Sequence, residues 1–458
     1  MKPLAPPDTF RLRAPERAAL ALALVIAHAF YWRIVLFPSA FDAQNYLEIA
    51  EDITRKGLFA NFFYSNIRTY GYPLFLATVR EVSGGQWARW TWLVFEIQLA
   101  LFIMAALALR RALRVWDERF ARASFMAVVL NVFVLSYTPE TLSESISVTL
   151  LIAAIACWLR ARAAPAALWP ALLLGSVFIS LSVMVRPANV FALATWIVAT
   201  ALLGIERRLR LGAWLALLVA VAIGIAVPMA PQYANNVRYH GEHTPLVVAR
   251  LGTNQQVWGI QYIKYATAMP PVPLPSVFYA NPFARERPVD PVHPLHWYRD
   301  HPVAGLATMG LHVFDMLDQD LFFTYSRNLD PWYRWPVGVL NHALIALALM
   351  GAALLFGQWR TRAVACIALA TLVIAHVAVH ATAAVEMRFG LPLLALAGPL
   401  AVWPWMRISA GPSGPPRLFV LAVFVLAYVV GALALSEWVR KQSTSIVAWQ
   451  QAHSAPEH

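Results

Sequence analysis

The sequence predicts an all-α polytopic membrane protein, and three observations carry that prediction. Hydrophobic residues make up 60% of the 458 positions and charged residues only 13%, whereas roughly a quarter of an ordinary soluble domain is charged. The apolar residues gather into stretches near the roughly 17 to 25 residues that a helix needs to cross a hydrocarbon core. We place about 11 of them, at 18–37, 89–109, 123–138, 141–159, 168–185, 189–205, 211–230, 337–356, 363–381, 390–406 and 417–436. Finally, arginines occupy every second connection between these stretches, the pattern of cytoplasmic loops.

Each element follows from local chemistry. Arg11, Arg13 and Arg17 precede the first stretch, which has no small-residue cleavage site after it and is expected to remain as a span. The third stretch is short, so it and the fourth read either as two spans or as a tilted hairpin. Further basic loops hold Arg110 to Arg122, Arg160 with Arg162, Arg207 to Arg210, Arg360 with Arg362, and Arg407 with Arg417. The net charge of +12 is thereby assigned to topology rather than to a nucleic-acid partner. Cys157 and Cys366 both fall near the cytoplasmic ends of their spans, so no disulfide is expected.

Three regions result: an N-terminal membrane half (1–231) containing a first outer loop (38–88), an outer-face loop and helix segment (232–336), and a C-terminal membrane half with its tail (337–458). In the first outer loop, "DAQNYLEIAEDITRKG" places Tyr46, Ile49, Ala50 and Ile53 on one helical face, with Asp42 in the first turn and Gly57 as the C-terminal cap. That is an amphipathic helix lying along the membrane surface. A second begins at "GYPLFLATVREV", Pro73 being tolerated in a first turn. The proline-rich run "MPPVPLPSVFYANPFARERPVDPVHP" is expected to be extended and irregular, and "DHPVAGLATMGLHVFDMLDQDLFFTYS" has helical apolar spacing.

Charged residues that topology leaves unexplained collect on the outer face: Asp42, Glu48, Glu51, Asp52, Arg68, Glu140, Glu144, Arg186, Arg238, Glu386 and Arg388. Charge at membrane depth is costly and is retained for a site or an ion pair. Glu48, Glu51 and Asp52 fit the solvated side of the surface helix. Arg186 can alternatively cap the helix before it, Arg388 can simply pair with Glu386, and helix capping accounts for Glu140 and Glu144 as well as a site does. His376 and His380, four apart, suit a phosphate contact, a metal or plain polar packing.

These features in their order resemble the GT-C superfamily of membrane glycosyltransferases, and especially its branch of protein mannosyltransferases and the lipid A aminoarabinose transferase. The resemblance rests on Asp42 with Tyr46 four residues on, "RTYGYPLFLA", "SESISVTLLIAAIACWLRAR", "SVMVRPAN" and "HATAAVEMRFGLPLLALAGPL". It covers residues 18–407 and is weak over 232–335. It implies a bacterial inner-membrane enzyme, active on the periplasmic face, that passes a sugar from a polyprenyl-phosphate donor to a lipid, glycan or protein acceptor. By the same resemblance Asp42 is the general base of an inverting displacement. Arg68, then Arg388 and Arg186, with His380, hold the donor phosphate, and Tyr46, Tyr70, Tyr72, Glu144 and Glu386 line the pocket. Many relatives carry a second acid after the catalytic Asp where this chain has Ala43, so no obligatory metal or other cofactor is expected. No glycine-rich nucleotide loop occurs, which disfavours a nucleotide-sugar donor. Two other classes remain: a transporter or lipid flippase, and a surface-polysaccharide polymerase or ligase.

Overall fold

In hydrocarbon a chain must satisfy its backbone within each segment, and the apolar stretches are accordingly helical. The computed structural model describes residues 11–34, 42–60, 67–249, 251–268, 276–284, 289–323, 325–326, 331–409 and 414–444. The N-terminal half runs α1 (Ala14–Ile34), α2 (Asp42–Lys56), α3 (Gly71–Val82), α4 (Trp87–Leu113), α5 (Glu118–Val129), α6 (Val132–Leu135), α7 (Glu144–Ala163), α8 (Leu168–Val185), α9 (Val190–Glu206) and α10 (Leu211–His240). The middle segment follows as α11 (Leu251–Gln261), β1 (Tyr262–Ala268), β2 (Ser276–Ala280), α12 (Leu295–Asp300), α13 (Pro302–Leu317) and β3 (Tyr325–Ser326). Then come α14 (Arg334–Phe356), α15 (Trp359–His380), α16 (Leu391–Ser409), α17 (Gly414–Arg440) and β4 (Ser443–Thr444).

Nine helices among the described residues are long and apolar enough to cross a membrane, against the eleven stretches read from the sequence. Stretch 18–37 is α1, whose continuation beyond residue 34 lies outside the described residues. Stretch 123–138 is not one long helix: it divides between α5 and the single turn α6. Asn131 sits at the break. Its side chain accepts from the N–H groups of Phe133 and Val134 and donates to the Leu394 carbonyl at 2.9 Å, which caps α6 and ties the break to α16.

The surface helices form as their spacing predicts. Helix α2 buries Ala43, Tyr46, Ile49, Ala50 and Ile53 against α3, α4 and α7, in a cluster with Tyr72, Leu76, Trp90, Val94, Leu142 and Ile146. Gly57 ends α2 at φ +84°, a conformation that side-chain-bearing residues rarely adopt. Its N–H donates to the Ile53 carbonyl at 2.9 Å.

Two expectations for this middle segment need correction. Part of the proline-rich run is a strand, because Ser276–Ala280 pairs antiparallel with β1 in a four-stranded sheet of order β3-β1-β2-β4. β1 alternates Tyr262, Lys264 and Ala266 with Ile263, Tyr265 and Thr267, a period that suits a pleated strand. The helix read from "DHPVAGLATMGLHVFDMLDQDLFFTYS" stops at Leu317. Asp318 and Gln319 turn inward instead of continuing it, Asp320 is half-buried beside them, and Tyr325 belongs to β3.

Candidate active site

Three chain segments are pinned close together at one end of the bundle, and each brings an arginine. The first is "RTYGY". The Thr69 hydroxyl donates to the Met184 carbonyl at 2.6 Å, the Tyr70 N–H to Gln232 at 3.1 Å, and the Tyr70 hydroxyl to the Pro228 carbonyl. Gly71 allows this close approach, since a Cβ there would lie 2.5 Å from the Met184 carbonyl oxygen. Arg68 is thus fixed beside the end of α8.

That end carries the second arginine. Asn189 donates to Ser147 at 2.8 Å and to Ser182 at 2.6 Å, clamping the Arg-Pro corner onto α7. Arg186 consequently meets Glu144, the first residue of α7, in a direct ion pair. Among the described contacts its guanidinium goes to that carboxylate, while Arg186 is also the residue that closes the C-terminus of α8.

The third segment is Glu386–Gly390, where the Tyr265 N–H donates to the Val385 carbonyl at 3.0 Å and Gln319 donates to the Met387 carbonyl. The short turn Met387–Gly390 presents Arg388 inward. Its Nε donates to Glu386 at 2.6 Å, one Nη to Asp42 at 2.7 Å, and the other Nη lies 3.3 Å from Glu144.

Asp42 sits at the centre, at the positive N-terminal end of α2. Arg68 binds Oδ1 and Arg388 binds Oδ2, while its backbone N–H donates to the Tyr325 hydroxyl at 3.3 Å. Burial alone would raise its pKa, but Arg388, Arg68 and Arg186 outweigh burial and hold it at about 2. Burial, with Asp42 and Glu144 nearby, pushes Glu386 up to about 7 although Arg388 opposes this. Burial and the charge of Glu144 raise Glu140 to about 8. The site therefore holds one firmly ionised carboxylate beside acids that take protons near neutrality.

Aromatic rings wall the cluster. Arg68 stacks over Tyr46 at 5.2 Å, whose hydroxyl donates to Ser143 at 3.2 Å. Arg186 lies 5.2 Å from the Phe389 centroid and Arg388 is 5.8 Å from that of Tyr325. Tyr72 packs edge-on against Tyr46 and donates to Gln98 at 3.4 Å, so it supports the wall from behind, as Tyr70 supports the Arg68 turn. His380 meets the Phe389 ring at 5.2 Å and His376 at 4.7 Å, so the Phe389 ring lies next to both His380 and the Arg186 guanidinium. Glu48, Glu51, Asp52 and Arg238 stay outside the cluster: Glu51 and Asp52 pair with Arg55 and Lys56, Glu48 accepts from Gln44, and Arg238 stacks on Tyr239. Tyr325 and Tyr265 were not anticipated. Only the aromatic run "FFTYS" and the β-type alternation of "YIKYATA" hint at them. Among the described residues, no group of three or more His, Cys, Asp or Glu side chains is arranged to hold a metal ion.

No protein-family model and no curated protein sequence matches the chain. Solved structures do. The oligosaccharyltransferase of Archaeoglobus fulgidus in its apo form aligns with 93% of this chain and 56% of its own, at TM-score 0.52 and 12% identity. The same enzyme tethered by a disulfide to an acceptor peptide with an NVT sequon aligns with 93% of this chain and 55% of its own, at TM-score 0.50 and 12% identity. Oligosaccharyltransferase AglB of that organism, with an inhibitory peptide and a dolichol-phosphate, gives 0.48 over 94% and 56%, again at 12% identity. The chain thus spans about half the length of these proteins. What it shares with them is the fold.

Proposed function

We propose that this protein is a membrane glycosyltransferase that moves a sugar from a polyprenyl-phosphate donor to an acceptor on the outer, periplasmic face of the bacterial inner membrane. The observation that carries the reading is the grip of Arg68 and Arg388 on the two oxygens of Asp42, at the end of a membrane bundle. A carboxylate held near pKa 2 is a poor base while both guanidiniums are on it, since a useful base titrates nearer the working pH. Guanidiniums bind phosphate oxygens in the same forked geometry. A donor phosphate drawn to Arg68 and Arg388 takes over part of their hydrogen bonding, and Asp42 regains basicity as the donor arrives.

Asp42 then accepts the acceptor's O–H or N–H proton as its oxygen or nitrogen attacks the anomeric carbon. The bond from that carbon to the phosphate oxygen breaks with inversion, and the developing phosphate charge rests on the arginines. Arg186 and Glu144 brace Arg388 from the side. In this reading the acceptor is a lipid, a glycan or a protein; the peptide bound to the archaeal enzyme supports the last. The reading needs no obligatory metal, because Ala43 occupies the place of a second acid and guanidiniums hold Asp42.

The test is sugar transfer by purified protein from a labelled polyprenyl-phosphate donor to acceptors in a membrane extract, with and without EDTA. Asp42→Asn is expected to lower turnover by roughly a hundred- to ten-thousand-fold with donor binding retained, whereas Glu51→Gln and EDTA leave the rate unchanged. Equal rates for Asp42→Asn and wild type overturn the assignment of the base. Donor lipid crossing the bilayer without loss of its sugar supports a flippase instead.

A further inference from the structure

The opposite end of the bundle holds a feature that the transfer reaction does not use. α7 starts at Glu144 in the site and runs 20 residues to Ala163. At 1.5 Å per residue that is about 30 Å, the thickness of a hydrocarbon core. From the middle of α7 toward this far end an apolar cavity of about 230 Å³ runs between the two membrane halves, lined by Leu151 and Ala154 of α7, Ala199 of α9, Gly351 of α14, and Ala368 and Leu372 of α15. Its mouth continues into a cleft of about 720 Å³ whose charged residues are Arg162, Arg207, Arg362 and Glu206. Three arginines thus face one carboxylate.

That carboxylate is taken by Arg162, with bonds of 3.0 and 2.7 Å, and Arg207 donates to the Ala161 and Arg162 carbonyls. Arg362 lines both the cavity and the cleft. No acidic side chain pairs with it among the described residues. Its guanidinium is held between rings, 4.7 Å from the Trp403 centroid and 6.0 Å from that of Trp116. The backbone leaves helical geometry at Arg362, with φ −131° and ψ 23°, so the membrane-crossing part of α15 begins here and points its positive N-terminal end at the mouth. Topology alone asks only for basic residues somewhere on this face. It does not ask for a half-buried arginine, set between indoles, at the neck of an apolar cavity.

We propose that this cavity holds one chain of an anionic phospholipid, whose phosphate sits at the mouth against Arg362 and Arg162. The lipid would fill the gap between the N- and C-terminal membrane halves and supply the negative charge that the arginine cluster lacks. Indole rings at the mouth match the headgroup level at which tryptophan collects in membranes.

The experiment compares protein in nanodiscs of phosphatidylcholine alone with protein in nanodiscs containing one-fifth phosphatidylglycerol, read by native mass spectrometry and by melting temperature. Wild type is expected to retain one phosphatidylglycerol and to melt several degrees higher with it, while soluble glycerol 1-phosphate has no effect. Arg362→Gln is expected to lower retention at least tenfold. Ala368→Phe, which fills the cavity and leaves every arginine in place, is expected to do the same, and it decides the matter should Arg362→Gln give no folded protein. Equal retention of phosphatidylcholine, equal retention by Ala368→Phe, or stabilisation by glycerol 1-phosphate alone would each overturn the proposal.

Discussion

Two charge networks lie side by side at one end of the helix bundle, and they are built to different ends. Around Asp318, Lys264 approaches Oδ2 at 3.1 Å, Ser436 donates to the same oxygen at 2.8 Å, and His342 lies 3.1 Å from Oδ1. Asp320 extends it, accepting from Arg334 at 2.7 Å. The partners come from β1, α14 and α17, and side-chain exposure is 6% for Lys264 and 2% for Asp318. Around Asp42 the partners come from a loop and a late corner, and exposure is 24% for Asp42 and 20% for Arg68. The first network staples the sheet to the last helices. The second is reachable, and its arginines are the side chains that best exchange a carboxylate for a phosphate. Under the proposed function, access and exchangeable partners set the Asp42 cluster apart from the Asp318 staple.

The sharpest way to break this comparison is to remove one member from each network. Burial lowers the Lys264 pKa, but Asp318 and Asp320 more than offset it, so the ammonium stays charged. Lys264→Met takes the ammonium from Asp318 and leaves Asp320 to Arg334 alone, and is expected to cost roughly 3 to 5 kcal/mol of stability. Melting temperature and yield should fall, with turnover of the surviving folded protein altered less than tenfold. An unchanged melting temperature would mean that the staple is no staple.

Arg68→Ala should do the reverse. Turnover falls roughly a hundred- to a thousand-fold and donor-lipid affinity drops, with melting temperature little moved. Arg68→Lys keeps the charge, loses the fork and lands between. Loss of stability at unchanged donor affinity would place Arg68 with the structural residues and leave Arg388 as the holder of the leaving phosphate.

The smallest effect concerns Glu140. Burial raises its folded pKa from 4.5 to about 8, so the folded chain keeps a proton that the unfolded chain releases. The stability of the neutral form is present in full below about pH 4.5 and is lost as pH rises through 8, by at most about 1.4 kcal/mol per pH unit. Glu386 shares the lower part of this window, since its own value is about 7. Above pH 7 the decline in melting temperature should therefore be shallower in Glu140→Gln than in wild type. Parallel curves between pH 7 and 9 would reject the neutral acid.

Much of this was legible before any coordinates. The buried face of α2 was readable because a helix repeats every 3.6 residues and only apolar side chains recur at that spacing. Gly57 was readable because a left-handed cap favours glycine. Asp42, Arg68, Arg186 and Arg388 stood out because charge without a topological reason is rare in so apolar a chain. The division of stretch 123–138 was not visible, since Asn131 becomes a break only where Leu394 offers it a carbonyl. Nor was β2, whose partner strand lies across a proline-rich connection.

By itself the sequence determined which segments are helical and apolar, which connections are basic, and which charged residues lacked a local reason to exist. These are properties of windows of a few to twenty residues, and local sterics and hydration set them. Only the tertiary structure decided that Asp42 lies between Arg68 and Arg388, the latter 346 positions away, that Arg186 pairs with Glu144, and that Tyr325 and Tyr265 lie beside Arg388 and Phe389. Ion pairing depends on distance in space, and a sequence carries that distance only through the packing of every helix in between.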